Sequence, residues 1–148
     1  GPCTVGLEST VVDLSSHSVA GLLRAGGVSA EAIAACIGAV IPADAGAAIR
    51  APGMLPSHYA PHHPVRLDVT TVRPDEAVLG FGANMPPGGA ISRNLSPSGD
   101  LREAAANLFA MLHELDQPGI TAIAVVPIPG GGLGPAIRDR LARAATGH

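Results

Sequence analysis

The 148-residue sequence contains no lysine: its nine basic side chains other than histidine are all arginines, set against twelve acidic residues for a net charge of −3. Without lysine there is no Schiff-base chemistry and no lysine of a Walker-type phosphate loop. Any phosphate contact must come from arginine, a helix N-terminus or backbone amides. The negative balance also argues against a broad footprint on a nucleic-acid backbone. Tryptophan is absent, and one tyrosine and two phenylalanines are the whole aromatic set. The core must therefore be built from Ala, Val, Leu and Ile, and base-stacking platforms are disfavoured. Two cysteines, Cys3 and Cys36, are too few for a disulfide framework, and there is neither a signal peptide nor an apolar run long enough to span a bilayer. A cytoplasmic setting with no membrane partner is the expectation. The chain opens on Gly1-Pro2-Cys3 rather than methionine, which raises the expectation of a fragment lacking its upstream part.

What is present is apolar and loop-rich. Hydrophobic residues make up 47% and charged residues 14%, so the chain folds despite its 19 glycines and 14 prolines. β-Branched and apolar runs at 8–14 and 19–24 predict a hairpin. Ser29 caps a helix over 30–36 that stops at Gly38. A hairpin and one short helix bury too little to stand alone, so this part needs a partner. Later, 64–69 alternates like an edge strand, 77–82 and 120–126 read as buried strands, and 90–95 as a further strand. Ser98 is taken to cap a helix over 100–116 whose leucines and alanines recur on one face. A final helix is predicted over 135–145. Strand and helix alternate, which predicts an α/β layer structure.

Between these halves runs Ala51-Pro52-Gly53-Met54-Leu55-Pro56-Ser57-His58-Tyr59-Ala60-Pro61, whose prolines exclude a helix and predict an extended strap. Met54, His58 and the lone Tyr59 are not what a solvated spacer needs, and His58 reads as a hydrogen-bonding contact to a ligand, set against simple packing. A metal held by His58, His62 and His63 is disfavoured, because the intervening prolines splay the imidazoles and no cysteine or paired carboxylate is near. The cluster Gly130-Gly131-Gly132-Leu133-Gly134 could hold phosphate before a helix, but its spacing departs from the dinucleotide fingerprint, and a structural turn is the simpler reading. Ser9 and Arg24, adjacent across the hairpin, could form a small anion pocket, against a strand-forming serine and a surface arginine. No nucleophile–base pair and no G-x-S-x-G motif is present, so no catalytic residue is assigned.

Four stretches in order, Gly6-Leu7-Glu8-Ser9-Thr10-Val11-Val12-Asp13, Leu23-Arg24-Ala25-Gly26-Gly27-Val28-Ser29, Ala51-Pro52-Gly53-Met54 with His58-Tyr59-Ala60-Pro61, and Gly132-Leu133-Gly134-Pro135-Ala136-Ile137-Arg138-Asp139-Arg140-Leu141, resemble the L-threonylcarbamoyladenylate synthases of the long, Sua-five type. The resemblance implies a C-terminal remnant of a YrdC-like catalytic domain at 1–41, a linker at 42–63 and a Rossmann-like α/β domain at 64–148. It implies a nucleotidyltransferase that turns L-threonine, bicarbonate and ATP, with Mg2+, into threonylcarbamoyl-AMP and pyrophosphate for tRNA modification in translation, with RNA or tRNA-modification proteins as further partners. It also implies that Ser9 contacts L-threonine and that Arg24, His58 and Tyr59 contact the nucleotide. The family's lysine- and arginine-bearing motif and its Ser-x-Asn loop have no counterpart here, Ala25 replaces a usual proline, and Leu55-Pro56-Ser57 replaces a more basic linker. The isolated chain is therefore expected to be inactive, its strap displaced, mobile or borrowed by a neighbouring molecule. The alternative is a non-catalytic nucleotide- or partner-binding module built on the glycine cluster and the last helix.

Overall fold

The computed structural model describes residues 6–15, 19–42 and 60–146. In the first part, β1 (Val11–Asp13) pairs antiparallel with β2 (Ala20–Arg24), with a slip in register between Val11 and Val12. This is the predicted hairpin. Helix α1 (Ala30–Ile37) begins where the Ser29 hydroxyl accepts the Ala32 N–H at 3.2 Å and ends at Gly38, whose φ of 90° closes the last turn. The chain then adds a strand that the prolines had hidden. β3 (Val40–Pro42) runs parallel to β2 at the sheet edge, where a proline costs no ladder bond.

The second sheet is parallel throughout, in the order β4-β7-β5-β6. Its strands are β4 (Val65–Arg66), β5 (Ala77–Gly80), β6 (Ile91–Asn94) and β7 (Ile123–Val125). The inner strands β5 and β7 are buried on both faces, hence their unbroken apolar sequence. Alternation divides them. Ala77, Leu79, Ile123 and Val125 join one core with Leu108, Leu112 and Leu115 of α2 (Leu101–Leu115) and Ile137 and Leu141 of α3 (Gly134–Thr146). Val78 faces away, towards the loop residues Val72 and Gly89. Each fully buried leucine is worth about 2–3 kcal/mol relative to exposure.

The cap of α2 is Asp100, not Ser98. The Asp100 carboxylate accepts the N–H groups of Arg102 at 2.8 Å and Glu103 at 3.4 Å, while Ser98 bonds the buried Ser96 hydroxyl at 3.1 Å. A cap must immediately precede the first helical residue, and Ser98 lies two positions too early. The first part packs on the second through Leu7, which belongs to the same core. Gly6 sits at φ 67°, and a Cβ there would lie 2.3 Å from the Ala105 carbonyl oxygen, so only glycine admits the chain onto α2.

Where the chain enters the second sheet, Asp116 beyond the end of α2 gathers both histidines. Its Oδ2 accepts the His62 N–H and pairs with His62 Nδ1, each at 2.8 Å, and its Oδ1 does the same for His63 at 3.1 and 2.7 Å. Burial, the largest single influence, opposes ionisation of Asp116, yet the hydrogen bonds from His62 and His63 outweigh it and hold the carboxyl well below its ordinary range. A depressed carboxyl stabilises the fold fully above its unfolded value of about 3.9, and this stability drains away as pH falls below that value. Asp116→Asn is expected to lower the urea midpoint at neutral pH and to flatten the loss of stability below about pH 4, read from denaturation curves across pH. An unchanged acid limb would refute this role.

Candidate functional site

The site predicted from Ser9 and Arg24 is assembled by a turn locked onto a strand. The Gly27 N–H bonds the Glu8 carbonyl at 2.8 Å, and the Thr10 hydroxyl both donates to the Val28 carbonyl (2.6 Å) and accepts the Val28 N–H (3.0 Å). Between them lies Gly26, where a Cβ would come within 2.3 Å of the Glu8 carbonyl oxygen. The close approach fixes Arg24 beside Ser9: its Nε donates to the Ser9 carbonyl at 3.0 Å. The contact is made by the backbone, leaving the exposed Ser9 side chain outside it.

The Arg24 guanidinium does not face solvent as an open anion hook. It is 11% exposed and lies 3.3 Å from Glu8, whose Oε2 also accepts Arg140 Nη2 at 2.7 Å. Arg140 in turn bonds Asp139 at 2.6 Å, and Asp139 is gripped by Arg143 at 2.9 Å. The result is a row of alternating charge, Arg24, Glu8, Arg140, Asp139, Arg143, in which three guanidiniums share two carboxylates. Arg140 is 2% exposed, and its Nε is the one buried side-chain polar atom without a partner among the described residues. The sequence reading missed Glu8 and Arg140 because 132 residues separate them.

His58 and Tyr59 lie outside the described residues, as does the strap from 51 to 59. Both Nδ1 atoms of His62 and His63 point at Asp116, and among the described residues no three His, Cys, Asp or Glu side chains converge on a metal position. The glycine cluster is a structural turn: the Gly134 N–H bonds the Gly131 carbonyl at 2.8 Å, and a Cβ on Gly134 would collide with the Pro129 carbonyl oxygen at 1.8 Å. Gly132 and Glu31 line the same small cleft between the two parts.

Fold and site together define a four-stranded parallel α/β layer with a smaller three-stranded sheet whose Glu8 is ion-paired to the last helix. The chain belongs to the family of the threonylcarbamoyl-AMP synthase C-terminal domain, whose model matches residues 28–146. It is 31% identical over 162 residues to the threonylcarbamoyl-AMP synthase of Pyrococcus abyssi, covering 98% of this chain and 47% of that protein. It is 30% identical over 167 residues to the Bacillus subtilis threonylcarbamoyl-AMP synthase, covering 100% of this chain and 48% of that one. The chain thus spans about half the length of the curated relatives it matches. Among solved structures, P. abyssi Sua5 complexed with L-threonine is similar with a TM-score of 0.75 at 29% identity, over 97% of this chain and 47% of that one. A variant of the same enzyme, with an adjacent histidine and tyrosine both changed to alanine, is similar with a TM-score of 0.75 at 27% identity, over 97% of this chain and 46% of that one.

Removing Arg140 leaves Glu8 with Arg24 and Asp139 with Arg143. Arg140→Ala should therefore cost about 2 kcal/mol, less than the roughly 3–5 kcal/mol of a fully orphaned buried partner. Urea denaturation measures it, and a change below about 0.5 kcal/mol would show that the row does not hold the two parts together.

Proposed function

We propose that this chain is the C-terminal half of a threonylcarbamoyl-AMP synthase acting in tRNA modification in the cytoplasm. The observation that carries the reading is the match of nearly the whole chain to about half of two such synthases. A second supports it: among the described residues, the large apolar side chains most exposed, Leu14 at 65%, Val28 at 53%, Ile37 at 50% and Ile41 at 54%, all lie before residue 42, and α1 has no buried residue. An apolar surface of this kind fits a unit that packs against more protein. On this reading residues 1–41 belong to the catalytic domain, 42–63 link, and 64–148 form the C-terminal domain.

In the reaction so proposed, the L-threonine amino group and bicarbonate give a carbamate with loss of water. A carbamate oxygen then bonds the α-phosphorus of ATP as the bond to the bridging oxygen breaks and pyrophosphate leaves. The protein's part is positioning and charge stabilisation. Ser9, exposed beside Arg24, contacts the threonine, a role consistent with the L-threonine complex of the archaeal relative. Arg24 meets the nucleotide phosphate. His58-Tyr59, the chain's single His-Tyr pair, contacts the nucleotide, and the histidine–tyrosine variant of the relative marks such a pair as one worth testing. Mg2+ would come with ATP. The described residues do not fit a site of their own for it, since the Glu8 oxygen nearest Arg24 is taken by two guanidiniums and no acidic group of three converges, so no step is routed through the metal.

The chain alone is expected to release no pyrophosphate from ATP with L-threonine and bicarbonate; turnover by it would overturn the half-enzyme reading. In the longer protein, Arg24→Ala should lower kcat/KM roughly ten- to a hundredfold, the worth of a charge-assisted phosphate contact of about 1.5–3 kcal/mol. Unchanged kinetics would remove Arg24 from the nucleotide site. The alternative, a nucleotide- or partner-binding module, is favoured by a crevice beside the last helix rather than by the glycine cluster.

A further inference from the structure

At the C-terminal ends of β4 and β7 the second sheet opens into a crevice of about 390 Å³. Its position follows from topology. These two strands are neighbours, yet their continuations part: after β7 the chain turns to α3, which packs on the face bearing Ile123 and Val125. After β4 it passes to the opposite face, where Val72 lies by Val78. A gap at the carboxyl ends of adjacent parallel strands whose connections diverge is where open α/β sheets place small ligands.

The lining is built for a molecule with two different ends. Leu67, Val125, Ile128 and Leu141 make an apolar wall, and the charged groups are Asp68, Arg138 and Asp139. Asp139 is already neutralised by Arg140 and Arg143. Arg138 has no carboxylate within salt-bridge distance, a condition it shares only with Arg102 among the described arginines, and it sits against the glycine turn, 3.7 Å from where a Cβ of Gly130 would lie. Among the described residues Asp68 is also without an ion pair. It is the one non-glycine among the described residues with positive φ, 54°, anchored by the next residue, whose N–H bonds the Val125 carbonyl at 3.0 Å. A left-handed aspartate held at the mouth of a cleft is a local cost that surrounding contacts must sustain.

One unpaired cation and one unpaired carboxylate across an apolar wall complement a ligand with an anionic end, hydroxyl donors in the middle and a largely apolar body. The volume suits a molecule larger than a free amino acid. We propose that this crevice binds a nucleoside monophosphate, its phosphate on Arg138, its ribose hydroxyls donating to Asp68 and its base against Leu67, Val125 and Ile128. The site is separate from Ser9 and Arg24 and does not depend on the synthase reading.

Calorimetric titration of the chain with AMP tests it. Saturable binding at about 1 mM or below is expected. Arg138→Ala should weaken it about tenfold or more, the worth of one charge-assisted contact. Asp68→Asn should also weaken it, and asparagine keeps the left-handed backbone, so the fold survives; matching thermal melts verify this for both variants. Arg102→Ala, an exposed arginine on α2 away from the crevice, should leave AMP binding unchanged. The proposal is overturned if AMP does not saturate, or if both crevice variants bind as the parent does. Inorganic phosphate binding as tightly as AMP would overturn the nucleoside assignment.

Discussion

One carboxylate ties the two parts of this protein together by charge. Glu8 holds Arg24 of the hairpin on one side and Arg140 of the last helix on the other. Arg140 is almost completely buried, and a buried guanidinium is tolerable only where carboxylates compensate its charge. The first part supplies one of these and the helix the other. The hairpin thus completes the electrostatics of α3, while α3 orients the acid that holds Arg24. Around this pair the packing is close: Leu7 enters the α/β core, and Gly6 lies on α2 where no side chain would fit.

The same helix serves two regions with two faces. Ala136, Ile137 and Arg140 turn towards the core and the first part, Pro135, Arg138, Asp139 and Ala142 line the crevice, and Leu141 reaches both. These positions recur three and four residues apart, as a helix requires. Asp139 belongs to both, facing the crevice while accepting Arg140 and Arg143. Charge at the crevice and charge beside Arg24 are therefore connected through a single aspartate.

Much of the architecture was legible in residue order. The α2 stripe of alanine and leucine, the unbroken apolar runs of β5 and β7, and Ser29 before α1 each express a local rule, a helical period, a doubly buried strand or a cap, which a short window contains. The errors were local as well. Ser98 competed with Asp100 as a cap and lost because capping requires immediate adjacency. β3 was hidden because Pro42 suggested a linker, although an edge position tolerates it. Ser9 and Arg24 do come together as hairpin neighbours, but through the serine carbonyl, and with the guanidinium already turned to Glu8.

By itself the sequence determined the alternating α/β pattern, the need of the first part for a partner, the absence of lysine from any anion contact, and the family resemblance that the matched relatives support. These rest on composition and short-range order, which do not depend on how the chain returns on itself. Only the tertiary structure decided that Glu8 would meet Arg140, that Arg140 would be buried, and that Asp68 and Arg138 would face one crevice. Such pairings are set by which strand neighbours which and where each connection leaves the sheet. No local pattern carries that information, since residues so far apart along the chain meet only when the whole core closes.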